Sequence, residues 1–121
     1  MRTLVAAVSV LVLFLAVPSV SRAAVGSSKA RVASIAIFDN ATPMQYITLE
    51  GVTSAGTCFK PPAAGALVLF RIPDNTKGDQ MRPIIVSAMM AGRSIFINWD
   101  DSSKDTTGRC YIKTLSISNS N

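Results

Sequence analysis

The sequence predicts a small, mainly β domain with one helix, preceded by a secretory leader. Three observations carry this expectation. Short apolar or alternating segments are separated by turns rich in Pro, Gly, Asp and Asn. One later stretch changes to helical spacing. The chain opens on MRTLVAAVSVLVLFLAVPSVSRAA, with basic Arg2, an apolar run over 4–17, Pro18, and small Ser21 and Ala23 at the −3 and −1 positions of a cut after Ala23.

That apolar run is about 14 residues, short of the ~20 that span a bilayer. Residues 1–23 therefore read as a signal peptide and 24–121 as one domain, secreted or periplasmic, with no membrane span. Loss of Arg2 and Arg22 leaves ten basic residues against seven acidic ones, a net charge of +3. The basic residues are scattered, so a nucleic-acid surface, which needs clustered charge, is not expected. Cys58 and Cys110 are the only cysteines, and in an exported chain they are expected to pair. Zinc would lack ligands, since there is no histidine and only this one pair of sulfurs.

Taken in order, AVGSSKA (24–30) is small and polar and reads as a loose leader to the fold. RVASIAIF (31–38) is a strand apolar on much of both faces, and DNATPM (39–44) is turn chemistry. MQYITLEGV (44–52) is a second strand, bending at Gly51 and Gly56 towards Cys58. After PPAAG (61–65), ALVLFRI (66–72) is the third. DQMRPIIVSAMMA (79–91) places Met81, Ile84, Ile85, Ala88 and Met89 at helical spacing, with Pro83 acceptable in a first turn and Gly92 as the stop. RSIFINW (93–99) and CYIKTLSIS (110–118) are strands four and five. The order β-β-β-α-β-β is that of an OB-like five-stranded Greek-key barrel, a generic α+β sandwich being the alternative.

The strand running into GTCFK, the helix ending AMMAGR, and SIFINWDD leading to RCYIKTL together resemble the B subunits of AB5 toxins, in particular small secreted bacterial proteins similar to the subtilase-cytotoxin and pertussis-type B subunits. The resemblance covers most of residues 31–117 and lies in layout. It implies a non-enzymatic binding subunit, a homopentamer with its helices lining the centre, a glycan or glycoprotein ligand, and an enzymatic A subunit as partner. The family's sugar-contacting residues have no position-by-position match here.

The chemistry points the same way. Without histidine the chain lacks the usual general base near neutral pH, and no serine lies in a nucleophile-elbow sequence, so no catalytic residues are expected. In WDDSSKDTTGRC (99–110), Asp101, Ser103 and Asp105 alternate, but the central Gly and closing Glu of a calcium loop are missing. No metal or other cofactor is expected. Carboxylates and hydroxyls suit sugar hydroxyls, and an aromatic ring can cover a sugar's apolar face. The ligand-binding candidates are Asp39, Asn40, Trp99, Asp100, Asp101, Ser103 and Asp105, on the two loops that frame the ligand face of an OB fold. The competing readings are a solvated hairpin turn with Trp99 in the core, and a secreted or periplasmic protein-interaction, accessory or inhibitor domain without sugar specificity.

Overall fold

The computed structural model describes residues 24–38 and 44–117. Its elements are β1 (Val25–Phe38), β2 (Met44–Leu49), β3 (Phe70–Arg71), α1 (Thr76–Met90), β4 (Ser94–Lys104) and β5 (Cys110–Ile117). The five strands form one sheet that closes on itself in the cyclic order β1-β2-β3-β5-β4. All pairings are antiparallel except β3 with β5, where Phe70 meets Cys110 and Arg71 meets Tyr111.

Closure depends on β1, which serves two neighbours. Its first half pairs with β4, from Val25 opposite Asp100 to Arg31 opposite Ser94. Its second half pairs with β2, from Val32 opposite Leu49 to Phe38 opposite Met44, with a register shift between Val32 and Ser34. The AVGSSKA segment is therefore ladder from Val25 onward, and not a loose leader. Gly26, Ser28, Ala30 and Val32 alternate inward with the outward Val25, Ser27, Lys29 and Arg31. The inward side chains are small because Trp99 occupies the space behind them: a Cβ on Gly26 would lie 2.4 Å from Trp99 Cζ2.

The interior is apolar and continuous. Ile47, Leu49, Val68, Phe70, Ile72, Ile95, Ile97 and Ile112 are buried from the sheet side, and Met81, Ile85 and Ala88 are buried from α1. Only Phe70 and Arg71 of the expected third strand pair as strand, although Val68 and Ile72 are also buried. Packing places this segment where ladder hydrogen bonds do not.

The helix begins at Thr76, three residues earlier than its apolar period suggests. Asn75 is extended and its side chain accepts from Gly78 N at 3.2 Å, an N-cap. Gly78 lies against the preceding turn so closely that a Cβ there would be 1.7 Å from the Pro73 carbonyl oxygen. Pro83 is thus beyond the first turn, inside the helix, where it removes a donor to Asp79. Gly92 ends the helix with φ 65°, and Arg93 N donates to Ala88 O while Gly92 N donates to Met89 O. Met89, which shares the apolar spacing of Met81 and Ile85, is 40% exposed, alongside Val86 and Met90. The helix turns its Met81–Ile85–Ala88 stripe inward instead.

Cys58 and Cys110 are bonded, with their Cα atoms 5.3 Å apart. The bond ties the β2–β3 connection to the start of β5. Closing a loop with a sequence separation of 52 is worth about 4 kcal/mol in the chain-entropy model. Among the described residues, no helix is long and apolar enough to cross a membrane.

Candidate functional site

The stretch 99–110 is less a loop than the sequence suggests. β4 continues through Lys104, leaving only residues 105–109 as the turn before β5. Strand alternation then sends the candidate side chains to different places.

Trp99 and Asp101 share the inward parity of Ile95 and Ile97. Trp99 is 8% exposed, and its Nε1 donates to Ser28 Oγ at 3.4 Å. Its ring is a core element and is not available to cover a sugar. The Asp101 carboxylate accepts from Ala24 N at 2.6 Å, Thr57 N at 3.0 Å and Thr57 Oγ1 at 3.1 Å. The hydrogen bond from the Thr57 backbone, chiefly, holds this carboxyl below its ordinary pKa.

The Asp105 side chain has no exposed surface. One carboxylate oxygen accepts from Thr107 N, Thr107 Oγ1 and Arg109 N, and the other from Arg71 Nη1 at 3.1 Å and Tyr46 Oη at 3.2 Å. Burial pushes its pKa up more than any single contact acts on it. The hydrogen bonds from Thr107, Arg109 and Arg71 together outweigh burial, and the carboxyl lies below its ordinary value. Arg71 is itself buried, also bonds Asp74, and lies 5.3 Å from the Tyr111 ring centroid. Arg109 packs among Tyr46, Phe59 and Phe38 at 4.4, 4.8 and 5.7 Å. These residues form a network that holds the turn. Asp105 and Asp101 have their acceptor capacity taken up by the protein, which leaves little for a ligand.

Asp100 has the outward parity of the strand, whereas Ser103, within the register irregularity between Trp99 and Lys104, is half-buried. The Asp100 carboxylate accepts from Ser102 N and Oγ and pairs with Lys113 Nζ at 3.4 Å. The Ser102 hydroxyl, first among these, lowers the Asp100 pKa. Ser103 lines an open cleft of about 490 Å³ between the β3–α1 turn and the β4–β5 pair. Its other polar walls are Asp74, Asn75, Lys77, Tyr111 and Lys113. Lys77 Nζ donates to Lys113 O at 2.8 Å, which links the helix start to β5 on one wall. The Asp100–Lys113 pair stands behind it. Asp39 and Asn40 lie outside the described residues.

Of the five ligand-binding candidates among the described residues, the structure thus brings Ser103 alone to this cleft, with Asp100 one contact away. Five of its polar residues are not among the sequence candidates. PDNTK (73–77) has the composition of a turn, yet it supplies Asp74, Asn75 and Lys77. In CYIK the alternation places Tyr111 and Lys113 opposite buried Cys110 and Ile112, a signal that was present but unused. Among the described residues no group of three or more His, Cys, Asp or Glu side chains could hold a metal ion.

No protein-family model matches the chain, and neither a curated protein nor a solved structure matches it.

Proposed function

We propose that this chain is an exported, non-enzymatic binding protein with an OB-type barrel, which recognises a glycan in the cleft lined by Asp74, Asn75, Lys77, Ser103, Tyr111 and Lys113. The single observation carrying this reading is the composition of that cleft. An aromatic ring, a carboxylate, an amide, a hydroxyl and two ammonium groups line a volume in the range small ligands occupy. Sugars ask for paired donors and acceptors beside an apolar face, and this wall offers them. The cyclic strand order, the parallel β3–β5 pair and the helix between β3 and β4 support the OB-type assignment. The commitment of Asp101 and Asp105 to internal hydrogen bonds supports a binding role over a catalytic one. The leader and the disulfide support export with cleavage after Ala23.

A glycan array probed with the oxidised protein tests the proposal. Binding is expected, and Tyr111→Ala should abolish it, with Trp99 fluorescence checking that the variant remains folded despite the lost Arg71 contact. A blank array with folded, oxidised protein refutes glycan recognition.

A second reading is favoured by the outer face of α1, where Val86, Met89 and Met90 are exposed. This is a protein-interaction module, either a ring of copies of the B-subunit type serving an enzymatic partner or an accessory domain. Light scattering separates the two, since a stable monomer at high concentration excludes the ring.

A further inference from the structure

Ala24 is held at both of its backbone polar groups by one residue. Its N donates to Asp101 Oδ1 at 2.6 Å, and its carbonyl oxygen accepts from Asp101 N at 2.9 Å. These contacts extend the β1–β4 ladder one position beyond Val25 opposite Asp100. The other carboxylate oxygen is fixed by Thr57 N and Oγ1, so its position does not depend on Ala24. Gly56 closes the third side. A Cβ there would lie 2.5 Å from Asp101 Oδ2 and 3.0 Å from Ala24 Cβ, and its φ of +53° favours glycine. Three segments distant in sequence therefore converge on a single backbone nitrogen, half-buried beside the core.

We propose that Asp101 is the receptor for the α-ammonium group that cleavage after Ala23 creates on Ala24. This rests on the processing reading given above. Before cleavage the nitrogen is a neutral amide with one hydrogen. Hydrolysis of the Ala23–Ala24 bond converts it to an ammonium with three, directly against a carboxylate. A neutral hydrogen bond becomes a charge-assisted one, about twice as strong. The charged groups at this spot are Asp101 and Lys104, which donates to the Thr57 hydroxyl. Neighbouring Asp100 is turned away to Ser102 and Lys113. Processing thus does more than remove a leader: it completes the clasp that fastens the first strand to the fourth.

The test compares the exported, processed protein with a variant carrying Gly-Ser inserted between Ala23 and Ala24, which returns the Ala24 nitrogen to an amide. Mass spectrometry reads each N-terminus. In urea unfolding at pH 6 the wild-type unfolding constant should be about five- to tenfold lower than that of the insertion. The ammonium's pKa is raised by its partner, so the gap is fully present below the free α-amino value of about 7.7–8.0 and closes as pH rises through the folded value. Asp101→Asn in both backgrounds should abolish the gap. Equal stabilities at pH 6, or a gap that survives Asp101→Asn, overturns the proposal. Should Asp101→Asn fail to fold, NMR titration of the wild-type α-amino group decides: a value unmoved from 7.7–8.0 overturns it equally. If the exported chain starts elsewhere, the processing reading fails alone. The clasp is then tested on a chain begun at Ala24 by removal of an initiator methionine and oxidised in vitro.

Discussion

Replacing Asp105 by Asn removes one charge from a buried pair at almost constant volume. In the wild type the carboxylate has no exposed surface, and Arg71 opposite it is 6% exposed. Breaking a buried pair by neutralising one member costs about 3–5 kcal/mol. Arg71 retains Asp74, whose side chain is 41% exposed, so the lower end applies, about 3 kcal/mol. Against the net stability of about 5–15 kcal/mol that native proteins have, this is a large loss. With an m value near 1.5 kcal/mol/M the urea midpoint should fall by about 2 M, and Tm by more than about 10 °C. The sole tryptophan, Trp99, is buried and reports unfolding by fluorescence. The pH profile supplies a second signature. Because the folded pKa of Asp105 is depressed, its contribution is fully present above the unfolded value near 3.9 and is lost as pH falls through the folded one. Wild type should therefore lose stability below about pH 4 more steeply than Asp105→Asn. A loss below about 1 kcal/mol, with unchanged acid sensitivity, would show that Asp105 is an ordinary solvated turn residue.

Three further outcomes are expected. Gly26→Ala pushes a methyl into the Trp99 ring and should cost about 1–3 kcal/mol with a shift in Trp99 emission; unchanged emission and stability would refute that packing. Gly78→Ala should cost more than Gly26→Ala, because the clash is with the Pro73 backbone oxygen and not with a side chain that can yield; a smaller loss in thermal unfolding would contradict it. Reduction of Cys58–Cys110 should lower stability by about 4 kcal/mol, read as a urea midpoint shift between oxidised and reduced samples, and an unchanged midpoint would remove the bond's structural role.

What the sequence made legible follows from how local each signal is. The helix stop at Gly92 rests on one residue's conformational freedom, and the strand cores on alternation, so both were readable in place. The first half of β1 was not. Its inward residues are small because Trp99, some 70 positions later, fills the space they leave, and small polar residues without that knowledge look like a loop. The same holds for the acids of 99–110. Their residue types suggested ligand chemistry, but beside the local bonds to Ser102, Thr107 and Arg109, Asp101 and Asp105 are held by Ala24, Thr57, Tyr46 and Arg71, which come from other strands and connections. The cleft was missed for the converse reason: its walls join a turn to a strand that only the closed sheet brings together.

The dual pairing of β1 also orders events in time. Val25 finds its partner at Asp100, and β4 does not exist for pairing until most of the chain has been made. The half of β1 that binds β2 can form an early hairpin, while the half that binds β4 must wait with its backbone groups unpaired. Closure of the sheet is thus a late, long-range step, of the kind that slows folding as the mean sequence separation of contacts rises. A chain drawn N-terminus first through a pore would emerge with its opening strand half committed, and would lock only when the fourth strand followed.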